Sequence, residues 1–154
     1  MLEDIDGSMR KVGLGLVALA GVVSIGAGFR YGFTDTFMPY HAVVAGKSWS
    51  ELGPGLQTII IGMLRIIAGG FAACGVAMLW MLIPLRRAEA WARWATLAIA
   101  LAIWMPTLYV TFVLRAAAPQ AQPPIGPTLA VLALVILGVG ALFAASRSPR
   151  PIPD

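Results

Sequence analysis

Polar positions are not spread along this chain. They are pushed into the gaps between four apolar stretches, Val12–Phe29, Leu56–Ile83, Trp94–Leu114 and Pro127–Ala145. Each stretch reaches or nearly reaches the roughly 20 residues a helix needs to cross a bilayer core. None alternates polar and apolar residues as a surface helix of a soluble protein does, and segments that are apolar all round belong inside a membrane or a large core. The pattern predicts an all-α, polytopic membrane four-helix bundle spanning residues 9–145, with a short tail over 146–154. A single charge, Arg65, falls inside the four stretches.

The gaps carry their own signals. Ser48-Trp-Ser-Glu51 fits a capping box, so a short helix is expected to start there. Pro54 suits the first turn of the second long helix. The loop Pro84–Trp91 is short and basic, whereas Ala116–Pro127 holds four prolines and no ionisable residue, which reads as a stiff connector. Pro106 interrupts the third span, frees the carbonyl of Ala102 and predicts a kink. Small residues four apart offer each helix a smooth face for close contact: Ala20-Ser24-Gly28, Gly69-Ala73-Ala77, Ala98-Ala102 and Gly140-Ala144. Such faces serve either a compact bundle or a homo-oligomer.

Composition sharpens this picture. Of 154 residues, 59% are hydrophobic and 12% charged, against roughly 25% charged in ordinary globular domains. The four spans leave no room for a separate soluble domain. Three of the seven acids lie in the first eight residues, which end in Gly-Ser and read as an added leader before Met9. The basic surplus flanks the spans, so it reads as a topology signal and not as a nucleic-acid surface. Arg10, Lys11, Arg86, Arg87, Arg93, Arg147 and Arg150 fall on one side of four alternating helices, and Arg30, Lys47 and Arg115 on the other. By the positive-inside rule both termini are cytoplasmic, giving a multi-pass protein of a bacterial inner membrane with N-in/C-in topology. A competing reading takes Arg10-Lys11 and Val12–Ala27 as a signal peptide, but the apolar run exceeds the usual signal core.

Candidate chemistry is sparse. Cys74 is the only cysteine, which excludes an intramolecular disulfide and paired-thiol relays. His41 is the only histidine, which excludes bis-histidine haem. Met38 and His41 are too few to hold a soft metal unless Met63 or Met105 joins them. No cofactor and no metal are expected. His41 could act as a general base oriented by Asp35 or Glu51, yet no nucleophile motif accompanies it, so an enzyme is one open alternative only.

The remaining signal is convergence. Arg65 lies four residues before Gly69 and is expected on the same, packed, face. If the span begins at Leu56, Arg65 lies mid-depth; if Ile66–Leu85 alone spans, Arg65 sits at the outer interface. Trp104 and Tyr109 belong to the outer half of the third span, and Asp35, Tyr40, His41 and Glu51 to the loop above. These seven residues form the candidate ligand-binding set, with Arg65 holding an anionic or carbonyl group of a lipid or small hydrophobic molecule. The competing reading makes Arg65 a brace that anchors the loop. A further alternative is a structural or accessory subunit that docks a partner membrane protein.

The run Phe37-Met-Pro-Tyr-His41, with Trp49, Leu52, Gln57, Arg65 and Gly69-Gly70, resembles small uncharacterised bacterial four-helix integral membrane proteins across Phe29 to Gly70. The resemblance implies the fold and supplies no activity. In size and helix count the chain is also similar to sterol-isomerase-like and DoxX-like bundles, but no residue motif of either matches. The carboxylates of isomerase-like bundles lie within their helices, and small multidrug exporters depend on an intramembrane glutamate; these spans hold no acid.

Overall fold

The computed structural model describes residues 2–146. Five α-helices follow in order: α1 (Leu2–Gly32), α2 (Pro39–Ala45), α3 (Pro54–Arg86), α4 (Ala90–Ala117) and α5 (Ile125–Ala144). A single 3₁₀ turn, Trp49–Glu51, separates α2 from α3. Four of these helices are long and apolar enough to cross a membrane, over Gly7–Gly32, Pro54–Arg86, Ala90–Ala117 and Ile125–Ala144. The first three predicted spans sit inside them, the fourth ends one residue past α5 at Ala145, and α1 extends back to Leu2. The tail from residue 147, with Arg147 and Arg150, lies outside the described residues.

The long helices form a ring in which α1 packs on α3 and α5, and α4 closes the ring against the same two. Both termini therefore lie at one end of the bundle, and α2 lies at the other. Helix starts follow local chemistry. Pro54 occupies the first turn of α3, where no intrahelical donor is needed. The capping box forms as the sequence predicts: the Glu51 carboxylate accepts the Ser48 backbone N–H at 2.6 Å. Pro106 sits within the unbroken run of α4.

The packing is inside-out relative to a soluble bundle. The interior mixes small residues such as Ala20, Ser24, Thr96 and Ala100 with Phe71, Met78 and Trp104, and Ile66, Trp80, Leu137 and Val22 face outward. A surface of that kind is stable against lipid and not against water. Backbones meet at glycine. A Cβ on Gly75 would lie 2.5 Å from the Gly21 carbonyl oxygen, and one on Gly28 would lie 3.0 Å from that of Ala68, so α1 and α3 touch backbone to backbone. A Cβ on Gly13 would lie 2.7 Å from the Gly138 oxygen, which puts α1 and α5 in the same relation near the termini.

Of the four predicted small-residue faces, Ala20-Ser24-Gly28 is buried and the other three need correction. Gly69 and Ala73 are exposed, as are Ala98, Ala102, Gly140 and Ala144. The buried small residues lie one or two positions away: Ala68 and Gly75 on α3, Thr96 and Ala100 on α4, and Gly138 on α5. A four-residue repeat of small side chains is present on more than one face of each helix, and one residue's step turns a face by about 100° at 3.6 residues per turn. Spacing alone could not choose between neighbouring faces.

Candidate functional site

The misplaced row carries Arg65 with it. Arg65 and Gly69 do share a face, but that face looks outward, and the Arg65 side chain is 40% exposed. Its depth follows from counting. Twenty-one residues separate Arg65 from Arg86 on α3, nineteen separate Lys11 from Arg30 on α1, and twenty-two separate Arg93 from Arg115 on α4. At 1.5 Å per residue these are ~32, ~29 and ~33 Å, each close to the ~30 Å hydrocarbon core. Arg65 thus stands about one bilayer-core length from Arg86 along its helix, as Lys11 does from Arg30 and Arg93 from Arg115. The first turns of α3, from Pro54 to Leu64, project beyond it by about 17 Å at the same rise.

From that position Arg65 donates Nη1–H to the carbonyl of Tyr31 at 3.2 Å, one residue from the end of α1. Its Nη2 lies 3.8 Å from Asp35 Oδ1, whose side chain is 96% exposed. The guanidinium satisfies an orphan carbonyl at a helix C-terminus, where a cation is favoured. The same device recurs at the opposite end. Arg10 donates to the carbonyl of Arg86, the last residue of α3. Arg93 donates to the carbonyl of Leu142 near the end of α5 and to the Ser146 hydroxyl, and lies 4.6 Å over the Phe143 ring. Arginines of neighbouring helices thus cap α1, α3 and α5. This arrangement matches the bracing role of Arg65.

A cavity of about 810 Å³ lies elsewhere, between α1 and α5 on the α2 end. The two helices touch at Gly13–Gly138 and are separated by this cavity where Val23, Gly26 and Ala27 of α1 face Thr128 and Val131 of α5. Trp104 and Phe71 form its floor, with ring centroids 4.9 Å apart. Trp104 is only 4% exposed, and its indole N–H donates to the Ser24 hydroxyl at 3.1 Å, which in turn donates to the Ala20 carbonyl. The floor is therefore rigid and polar-satisfied. Met38, Pro39, Tyr40 and Val43 roof the cavity. Of its polar side chains, Arg30, Gln120 and Gln122 belong to exposed residues, whereas Thr107 and Thr128 lie deeper and donate to the carbonyls of Ile103 and Pro124. A smaller recess of about 230 Å³ lies on the other flank, between α3 and α4. Tyr31, Tyr40, Phe71 and Thr107 line both spaces. The two phenol oxygens are 2.9 Å apart and hydrogen-bonded. Burial, joined by that hydrogen bond, pushes the Tyr40 hydroxyl well above the ordinary phenol range, so it stays neutral.

The seven sequence candidates are therefore dispersed. Tyr40 and Trp104 line the large cavity, and His41 and Tyr40 line the small recess. Arg65, Asp35 and Glu51 line neither, and Tyr109 is 69% exposed on the outer face of α4. Glu51 is held by Ser48 and does not meet Arg65; the Ser48 hydroxyl and amide hold its carboxyl below the usual carboxylate range. Neither carboxylate orients His41. Its Nδ1 accepts the Met38 backbone N–H at 3.3 Å, and its ring packs edge-on against Phe37 and Tyr40. Burial lowers its pKa, which keeps it a neutral structural acceptor. Met63 and Met105 are exposed on outer faces, while Met38 is buried. Among the described residues no group of three or more His, Cys, Asp or Glu side chains could hold a metal ion.

Sequence reasoning missed Arg30, Gln120 and Gln122. A signal existed: the two glutamines are the only polar side chains between Arg115 and Thr128 in a loop otherwise of Ala, Pro, Ile and Gly.

Fold and surface together define a multi-pass helical membrane protein. Comparison takes it no further, since no family model, curated protein or solved structure matches this chain.

Proposed function

We propose that this protein binds one lipid or small hydrophobic molecule in the cavity between α1 and α5. The observation that carries the reading is the cavity's polarity gradient. Its lining includes the apolar Val23, Ala27, Phe71, Trp104 and Val131, the deeper Thr107 and Thr128 hydroxyls are spent on carbonyls of their own segments, and its charged and amide groups, Arg30, Gln120 and Gln122, are on exposed residues. Its volume falls within the roughly 300–1,000 Å³ of small-molecule sites. An amphipathic guest fits this gradient, with its apolar body on Trp104 and Phe71 and its head towards Arg30 and the glutamines. Tyr40 serves as a neutral donor or acceptor under the roof. The exposed wall residues Val23 and Gly26 support entry sideways from the bilayer. In this reading Arg65 and Asp35 stabilise the lid and do not touch the guest.

The setting we propose is a bacterial inner membrane with both termini cytoplasmic. The excess of Arg and Lys at the termini end supports that orientation, and the bacterial setting is taken from the resemblance over Phe29 to Gly70. Reporter fusions at residue 146 and in the loop after α2 test the orientation.

Gly26 provides a clean test of binding. It lines the cavity, and a Cβ there meets nothing within 4 Å. Gly26→Leu fills the space without a clash. Native mass spectrometry after gentle extraction is expected to show a hydrophobic molecule retained on the wild-type chain that is lost from Gly26→Leu, one bound molecule fewer on the variant. A bare wild-type mass, or equal retention by both, sinks the reading.

A further inference from the structure

At the opposite end of the bundle, a groove of about 340 Å³ runs between α1 and α3, lined by Lys11, Leu14, Gly15, Ala18, Leu82 and Arg86. The two cations sit at its rim and four apolar positions lie below them. Leu14 and Ala18 are one helical turn apart, so they continue one trough down the side of α1. Arg10 fixes the rim by donating to the Arg86 carbonyl, and Arg86 itself lines the groove. The one acid in the adjoining loop, Glu89, is engaged by the Trp91 indole N–H at 2.6 Å. Trp80, Trp91 and Trp94 are all exposed around this end. Exposed tryptophans mark the headgroup level of a bilayer. Lys11 and Arg86 therefore stand at that level, with the trough entering the hydrocarbon below.

We infer that this groove is a binding site for an anionic phospholipid, with its phosphate held by Lys11 and Arg86 and one acyl chain along Leu14, Gly15, Ala18 and Leu82. Basic pockets between membrane helices hold anionic head groups by this chemistry. The trough is what selects a lipid over a free anion, since inorganic phosphate would occupy the rim and leave the apolar part empty. The site is independent of the cavity between α1 and α5.

The test is thermal unfolding of the full detergent-solubilised chain, titrated with phosphatidylglycerol, phosphatidylcholine or inorganic phosphate. Phosphatidylglycerol is expected to raise Tm, and the other two to leave it unchanged. Each of Lys11→Gln and Arg86→Gln should weaken the apparent affinity about fivefold, following the ~1 kcal/mol that a Lys or Arg gains near an anionic surface. Gly15 faces open space, so Gly15→Leu fills the trough without altering charge or packing, and it should abolish the shift. Gly26→Leu should keep it. An equal shift from phosphatidylcholine, a shift from phosphate alone, or a phosphatidylglycerol shift that survives both neutralisations overturns the assignment. Loss of the shift in Gly26→Leu would also overturn it, by moving the lipid to the other cavity.

Discussion

The two ends of the α1–α5 pair are built from similar residues and behave oppositely. Near the termini Gly13 lies against Gly138, and a Cβ on Gly13 would meet the Gly138 backbone oxygen at 2.7 Å. About three to four turns further along α1, Val23, Gly26 and Ala27 line a cavity together with Thr128 and Val131. Both regions are rich in small residues. What differs is the partner. At the closed end glycine meets glycine; at the open end the facing residues are β-branched, and Trp104 and Phe71 line the space between the helices. A small residue permits close approach and does not enforce it. Contact without a hydrophobic drive requires complementary shape on both helices.

The strongest way to break that contrast is to add the same side chain at each end. Gly13→Leu must displace backbone atoms of α5, so it is expected to destabilise the bundle by about 1–3 kcal/mol or more, the cost of overpacking. Gly26→Leu should leave stability unchanged or slightly raised, because it replaces a helix glycine, which costs roughly 0.5–1 kcal/mol relative to alanine, where space is open. Unfolding midpoints in one detergent compare the two directly. Equal losses would mean that the open end closes in the absence of a guest.

That contrast also shows where sequence reading stops. Four spans, the capping box at Ser48–Glu51 and the start of α3 at Pro54 are legible because they depend on local hydropathy and turn chemistry. The inward face is not, because every span offers small residues on more than one side. The row Gly69-Ala73 and the buried pair Ala68 and Gly75 have the same kind of residues, and only the contact with Gly21 and Gly28 selects the second. Arg65 followed its row outward. The candidate site was dispersed for the same reason: Tyr109 and Trp104 share a helix half but not a face. Arg30, Gln120 and Gln122 come together only through the splay of α1 from α5, which is a tertiary fact.

The floor between the two ends offers a smaller effect. Trp104→Phe removes the indole N–H that reaches Ser24, and the Ser24 hydroxyl keeps its bond to the Ala20 carbonyl. A loss of about 1 kcal/mol is expected, the usual worth of one such bond, together with a wider floor and slower release of any guest. If stability is unchanged, Trp104 fills space and does not tie α4 to α1.

Arginine caps sharpen the comparison next. Arg93 at the closed end is partly buried, stacks on Phe143 and has an Nε with no partner. Arg65 at the open end is exposed and makes one carbonyl contact and one loose ion pair. Arg65→Gln is therefore expected to cost no more than about 0.3–1 kcal/mol, the range for a cation at an exposed helix terminus. Arg93→Gln should cost more, since the cation–π contact adds about 0.5–2 kcal/mol as it becomes desolvated. The measurement is the same unfolding midpoint, and a larger loss for Arg65→Gln would show that it carries weight beyond capping.

The smallest effect concerns the roof over the open end, and it has a sign. His41 holds the start of α2 by accepting the Met38 N–H on Nδ1, and burial holds its pKa below the ordinary 6.5. The unfolded chain therefore takes up a proton near pH 6.5 that the folded roof resists. Stability rises with pH wherever the unfolded state binds more protons, so the His41 contribution is intact above pH 6.5 and declines as the pH falls below it. Glu51 adds in the same direction at lower pH, because its carboxyl is held below its ordinary value of 4.5 by Ser48. Hydrogen exchange of the α2 amides should accelerate as pH drops from 7 towards 5 once corrected for intrinsic rates, while amides around Gly13 and Gly138 stay unchanged. His41→Phe keeps the aromatic contacts with Phe37 and Tyr40 and removes the titrating nitrogen. It should flatten the response in α2. A pH response that persists in His41→Phe would place the sensitivity elsewhere in the roof.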